Sequence, residues 1–224
     1  MISFENTKVY GWEASIRGMR NSMNSWDRSD TVFANDGSML GGLGKNDYGL
    51  MMKLATSSDS HGKFLRMITV TTDITAPLYW WKEYDTYKIG TVANSCSTMH
   101  TIHTRDLTLD DFSHEHLDEH CIDILEHLIF EINCQRQFFA NYEGCKEKYG
   151  CDLPRKDFWW HIIQLLPSSF NQKRTVQLNY QVLRKIYNER YNHRLDEWQN
   201  FCCWIETAPY HELITTTGQY VDVA

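Results

Sequence analysis

The side chains that could do chemistry in this chain are imidazoles and cations rather than nucleophiles. His114, His116, His120 and His127 fall in one acidic stretch with Glu115, Asp118, Glu119, Asp123 and Glu126. His116 and His120 have the i, i+4 spacing that lets two imidazoles on a helix meet one Zn²⁺. No HExxH pattern accompanies them and no third ligand has a forced position. A solvated helix face that carries histidines explains the stretch more simply, and no metal is assigned. Cys96, between Ser95 and Ser97, has no base paired with it by spacing and reads as a bystander thiol. Walker, GxGxxG and GxSxG patterns are absent. What remains is a scatter of cations: Lys63 and Arg66 after His61, Lys82 and Lys88 around an aromatic segment, Lys173 and Arg174, and Arg190 downstream of Asn179.

Composition narrows what these cations can serve. The chain has 224 residues, for which one domain over residues 1–224 is expected, and a net charge of −7, which argues against broad nucleic-acid binding. A local basic pocket for a phosphate is still compatible with that charge. No apolar run reaches the roughly 20 residues that span a bilayer, and the first residues lack a basic and apolar leader pattern. A cytoplasmic protein without membrane contact is expected. The seven cysteines are odd in number and contain no CxxC pair, so they read as reduced thiols.

The elements that must position these groups follow from periodicity. A helix is expected around residues 12–20. A Gly-, Asp- and Ser-rich loop at 27–45 reads as mobile. Asn46 or Asp47 is expected to cap the next helix. Residues 67–74 alternate as a strand, and Pro77 starts a helix that Gly90 ends. Residues 91–99 read as a polar loop. A long helix is expected at about 113–142, with a stripe of Leu117, Cys121, Ile124, Leu128 and Ile132. Further helices are expected at 158–166, 174–191 and 195–205.

Three stretches carry a family pattern. The first is residues 46–55, then His61, then the strand to Ile74. The second is Ala76-Pro77-Leu78-Tyr79 and the aromatic helix after it. The third is Leu166-Pro167, followed by Asn179, Leu183 and Arg190 and the helix at 195–205. In this order and at these separations they resemble the flavin-dependent thymidylate synthases (ThyX). The resemblance covers most of the chain. It implies an α/β (α+β) fold, with a central, mostly antiparallel sheet flanked by long helices, assembled as a homotetramer. It also implies FAD as cofactor, methylenetetrahydrofolate and NADPH as co-substrates, and a dUMP-like pyrimidine deoxynucleotide as acceptor of a one-carbon (methyl) unit. The flavin then carries the hard chemical step, and no protein nucleophile is needed. Matched residue by residue, Arg190 is the arginine that contacts the nucleotide and stabilises charge developing on the uracil. Asn179 is the asparagine facing the flavin, and His61 the flavin-contacting histidine. Arg190, with Glu189 and Asp196 nearby, also fits a plain surface cation.

The chain departs from the family at its signature, Arg-His-Arg-x7-Ser, where it has Thr86-Tyr87-Lys88. Only Lys88 keeps the charge, and lysine lacks the planar fork of arginine. Asn94 and Ser95 stand near the family's asparagine–glutamate pair. The serine falls at Cys96 or Ser97, and the arginine after it is replaced by Thr98. Glu83 replaces a glutamine on the substrate side, and Ile163 or Gln164 stands for the arginine before Leu-Pro. The resemblance therefore assigns Lys88 and Asn94 to the cofactor, with Lys63 and Arg66 as substitute phosphate cations. It assigns Glu83, Ser95 and Ser97 to the substrate, with Arg174 available there as a compensating cation. Two readings follow: an altered flavoenzyme, or a ThyX-fold nucleotide-binding or regulatory protein that has lost flavin chemistry.

Overall fold

Val70, Thr72, Ile74 and Ala76 are buried while their neighbours are half-exposed, the alternation of a strand with one face on a core. This is the expected strand, extended to the proline. The computed structural model describes residues 2–150 and 152–216; Cys151 and the tail from residue 217 lie outside them. In chain order the elements are β1 (Ser3–Tyr10), α1 (Trp12–Arg20), β2 (Val32–Phe33), β3 (Met39–Leu40), α2 (Lys45–Ser57), β4 (Thr69–Pro77), α3 (Leu78–Tyr84), β5 (Val92–Ser95), α4 (Thr98–Thr101), α5 (Glu119–Ala140), α6 (Tyr142–Tyr149), α7 (Arg155–Leu165), β6 (Asn171–Asn179), α8 (Tyr180–Arg190), α9 (Asp196–Ile205) and α10 (Glu212–Thr215). Short 3-10 turns connect several of them, including Gly62–Met67. Among the described residues no helix is long and apolar enough to cross a membrane.

The central sheet has the order β1-β4-β6-β5, and β2 and β3 form a separate antiparallel ribbon. Its register can be read from single contacts. Tyr180 N donates to Ile68 O, Thr175 Oγ1 donates to Asp73 Oδ1, and Leu78 N donates to Phe170 O. One index falls as the other rises by equal steps, so β4 and β6 are antiparallel. The fold is a mixed α/β one, a central antiparallel sheet flanked by helices, as the resemblance implies.

The chain groups into two compact units. Of the described residues, the first holds 2–3, Ile74–Thr86 and those of Asn94–Arg174; the second holds Phe4–Asp73, Tyr87–Ala93 and 175–216. The first unit has a core of Ile102, Leu107, Phe112, Leu125, Ile132 and Ile162. Arg136 of α5 is buried within this unit. It donates from Nε to Ile102 O and from Nη2 to His103 O (3.2 Å each), and pairs with Asp106. In the second unit Gly11 (φ 87°) starts α1. A Cβ there would lie 2.0 Å from Met67 O, so both the backbone angle and the close approach require glycine.

Several expectations are corrected. Residues 174–191 are not one helix: β6 runs to Asn179, where α8 begins. Residues 92–95 are strand rather than loop. The long helix starts at Glu119, capped by Asp118, whose carboxylate accepts from Cys121 N at 2.8 Å. His114 and His116 precede it, so the proposed i, i+4 imidazole pair is not on one helix; His114 Nδ1 bonds Phe112 O instead. Its buried stripe is Leu125, Ile129, Ile132 and Arg136, while Leu117 and Ile124 are exposed. The cap of α2 is neither Asn46 nor Asp47. Asp30 accepts from both their amides, at 2.9 and 3.0 Å. The 27–45 loop is therefore tied down at Ser29, Asp30 and Thr31, each of which donates to the fully buried Asp47.

Candidate functional site

In the second unit the site is built on α8. Asn179 caps it, its Oδ1 accepting from Val182 N at 3.0 Å. Gly90 (φ 78°) lies against the same helix start: a Cβ would meet Asn179 Nδ2 at 3.0 Å and Val182 Cγ2 at 3.1 Å. That close approach holds the Tyr87–Gly90 turn on α8 and leaves Lys88 exposed. At the other end of α8, Arg190 Nε donates to Tyr87 Oη at 2.9 Å, and Tyr87 donates to Glu189 Oε2 at 2.8 Å. The guanidinium lies 4.7 Å from the ring of Trp198, which is fully buried, and 5.7 Å from the ring of Tyr87. Burial pushes the Tyr87 hydroxyl above its ordinary pKa; Arg190 opposes the rise and Glu189 adds to it. The phenol thus stays protonated and passes a hydrogen bond from cation to carboxylate.

The turn from His61 is the second cationic feature of this unit. His61 Nδ1 and Ser58 Oγ are 2.7 Å apart, and His61 precedes the 3-10 turn Gly62–Met67. Phe64 and Leu65 are buried there, so Lys63 and Arg66 project outward. Neither has an ion-pair partner among the described residues.

In the first unit, Arg174 is fixed on three sides. Its Nε donates to Gln172 Oε1 at 2.9 Å, its Nη1 pairs with Asp85 at 2.8 Å, and its guanidinium lies 4.2 Å from the Trp81 ring. Gln172 Nε2 donates to Cys96 O and Thr98 Oγ1, both at 3.1 Å, and Cys96 N donates to Lys173 O at 2.9 Å. This network brings Arg174 to the strand end that carries Asn94, Ser95 and Ser97, which are exposed or half-exposed. Glu83 lies on the same α3 as Trp81.

The structure therefore places Arg190 in the last turn of α8, Asn179 at its N-cap and Lys88 in the turn packed against that helix start, and it brings Arg174 to the Asn94–Ser97 segment. Sequence reasoning missed the residues that hold the arginines: Tyr87, Trp198, Trp81, Gln172 and Asp85. A tryptophan under a guanidinium has no spacing signature, and Tyr87 was legible only as a missing histidine. Among the described residues no group of three His, Cys, Asp or Glu could hold a metal ion.

Neither a protein-family model nor a curated protein matches the chain. Solved structures do. A crystal structure of ThyX from Helicobacter pylori with FAD and dUMP aligns at TM-score 0.65 and 12% identity, covering 96% of this chain and 97% of that one. A second structure of the Helicobacter pylori enzyme, complexed with FAD and dUMP, aligns at TM-score 0.63 and 13% identity, covering 96% of each chain. The chain is similar to ThyX in fold. At this identity the likeness concerns the backbone path and not the chemistry of the side chains.

Proposed function

We propose that the chain is a divergent FAD-dependent thymidylate synthase-like protein. In this reading it transfers a one-carbon unit from methylenetetrahydrofolate to a pyrimidine deoxynucleotide, as a cytoplasmic homo-oligomer. The observation that carries the proposal is Arg190, which matches the family's nucleotide arginine and is pre-oriented by Tyr87, Glu189 and Trp198. A guanidinium held this way loses little freedom on meeting an anion or a polarised carbonyl. The donor set also suits a dinucleotide cofactor. Lys63, Arg66 and Lys88 are exposed cations without ion-pair partners among the described residues, and His61 stands beside the first two. These residues would hold the phosphates. Bound FAD would supply the hydride. The chain's own part is to bind and orient the nucleotide and to stabilise charge on the pyrimidine through Arg190.

The test is direct. Purified protein should bind added FAD and show the visible flavin spectrum. Protein that stays colourless with excess FAD overturns the reading.

One observation favours the second reading, a nucleotide-binding or regulatory protein without flavin chemistry. The Arg174 fork is already occupied by Asp85 and Gln172. Three signature cations are missing, each worth about 1.5–3 kcal/mol as a charge-assisted contact. Together they would weaken nucleotide affinity by roughly three to six powers of ten unless Lys63, Arg66 and Lys88 compensate. Rescue of thymidine-requiring cells by this gene in the absence of thymidine would exclude the second reading.

A further inference from the structure

The first unit contains an open groove of about 790 Å³, lined by Met99, His100, His103, Phe139, Arg155, Lys156 and Trp159. Its volume is that of a small-molecule site. None of these seven residues is acidic, in a chain whose net charge is −7. Arg155 and Lys156 occupy the first turn of α7, the positive end of the helix dipole, where cations are unfavourable and anions favourable. No side chain caps that end. Asp157 is the acid of that turn and is not among the lining residues.

The walls are pre-organised. Arg155 Nε donates to Phe139 O at 2.9 Å and its guanidinium lies 4.7 Å from the Phe139 ring. Both terminal nitrogens are left without a protein acceptor among the described residues. Trp159 Nε1 donates to Met99 O at 3.3 Å. His103 is edge-on to Phe139 with centroids 5.0 Å apart, its carbonyl is held by Arg136, and its buried Nδ1 has no hydrogen-bond partner. A buried imidazole nitrogen without a partner is costly unless a ligand supplies one.

We propose that this groove binds a planar aromatic anion, with the ring against Trp159 and Phe139 and a phosphate or carboxylate on Arg155 and Lys156. The site stands apart from the reading given under Proposed function and does not depend on it.

Calorimetric titration of the full chain at low salt tests the proposal with four probes: AMP, 2-naphthoate, adenosine and inorganic phosphate. AMP, 2-naphthoate or both should bind, and adenosine and phosphate should bind about tenfold or more weakly than the better of the two. AMP alone identifies a phosphate ligand, 2-naphthoate alone a carboxylate, and both a site for the whole class. Lys156→Glu should weaken binding by about tenfold or more. Lys156 is exposed and unpaired among the described residues, so this variant should melt like the wild type and keep any FAD or dUMP binding. Arg155→Gln should reproduce the loss. The proposal is overturned if neither aromatic anion binds, or if both variants bind them as the wild type does.

Discussion

Removing the Asp47 carboxylate should be the most damaging single change in the second unit. Asp47 is fully buried and Arg20 is 4% exposed. The carboxylate accepts from Arg20 Nε at 2.7 Å, Ser29 Oγ at 2.8 Å, Asp30 N at 3.1 Å, Thr31 N at 3.0 Å and Thr31 Oγ1 at 2.7 Å, and it pairs with Arg20 Nη2 at 2.6 Å. Asp47→Ala leaves a buried guanidinium without a counter-charge, which costs about 3–5 kcal/mol. With a urea slope of roughly 1–3 kcal/mol/M, the midpoint should fall by more than about 1 M. Arg20→Met/Asp47→Leu removes both charges and should be far less destabilised than the sum of the single changes. The acid response has a definite sign. Burial raises the Asp47 carboxyl, but the hydrogen bonds from Thr31, Ser29 and Arg20 outweigh it and hold it below its ordinary value. A depressed carboxyl contributes stability that is complete above the unfolded pKa of about 3.9 and is lost as pH falls through the lower folded value. Asp47→Asn should therefore flatten the fall in stability below about pH 4. A loss under about 1 kcal/mol for Asp47→Ala, or an unchanged acid slope in Asp47→Asn, would refute the account.

Other consequences follow from single contacts. Asn179→Ala removes the cap of α8 and should cost about 1 kcal/mol in thermal or urea unfolding, with Asn179→Asp nearly neutral. Tyr87→Phe removes the hydroxyl between Arg190 and Glu189; it should cost about 1–3 kcal/mol and, under the enzyme reading, weaken dUMP binding as measured by calorimetry. Gly11→Ala should destabilise severely, because the added carbon meets Met67 O and φ is positive. The Cys202 thiol is pushed up to about 12, chiefly by burial, whereas Cys96 and Cys203 are exposed. Alkylation of native protein at pH 8, followed by mass spectrometry, should label those two and spare Cys202.

How legible the fold was depended on whether one periodicity was present at a time. In β4 alternate positions are buried through the whole strand, and its face was plain. In the segment from Asn171 to Arg190 two periods share a residue. Val176 and Leu178 alternate along β6, Tyr180 continues that alternation as the first residue of α8, and Tyr180, Leu183 and Ile186 follow helical spacing along α8. The apolar pattern reads through as one helix, and only the Asn179 cap marks the join. β1 was missed because Phe4 and Val9 alone are even partly buried. In α5 the stripe was displaced because one of its four buried positions is Arg136, whose guanidinium is satisfied by carbonyls of the 102–103 segment and carries no apolar signal.

The two candidate arginines, one in each unit, share a construction that bears on the proposed function. Arg174 lies over Trp81 and Arg190 over Trp198, both tryptophans fully buried. Each guanidinium also donates along one edge to a neutral side chain, Gln172 or Tyr87, with a carboxylate beyond or beside it. Stacking on an indole favours arginine over lysine, because only a planar cation can lie against the ring while its edge nitrogens remain in the hydrogen-bonding plane. Lys88 offers the opposite chemistry, a flexible point charge that would attract a phosphate without fixing its orientation. Under the proposed function, orientation would rest on arginines held by tryptophans and acids, while attraction would fall to exposed lysines and Arg66. In a protein that works by this division, charge-neutralising changes at Lys63, Arg66 and Lys88 act on affinity and its salt dependence, and changes at Tyr87 or Trp198 act on geometry.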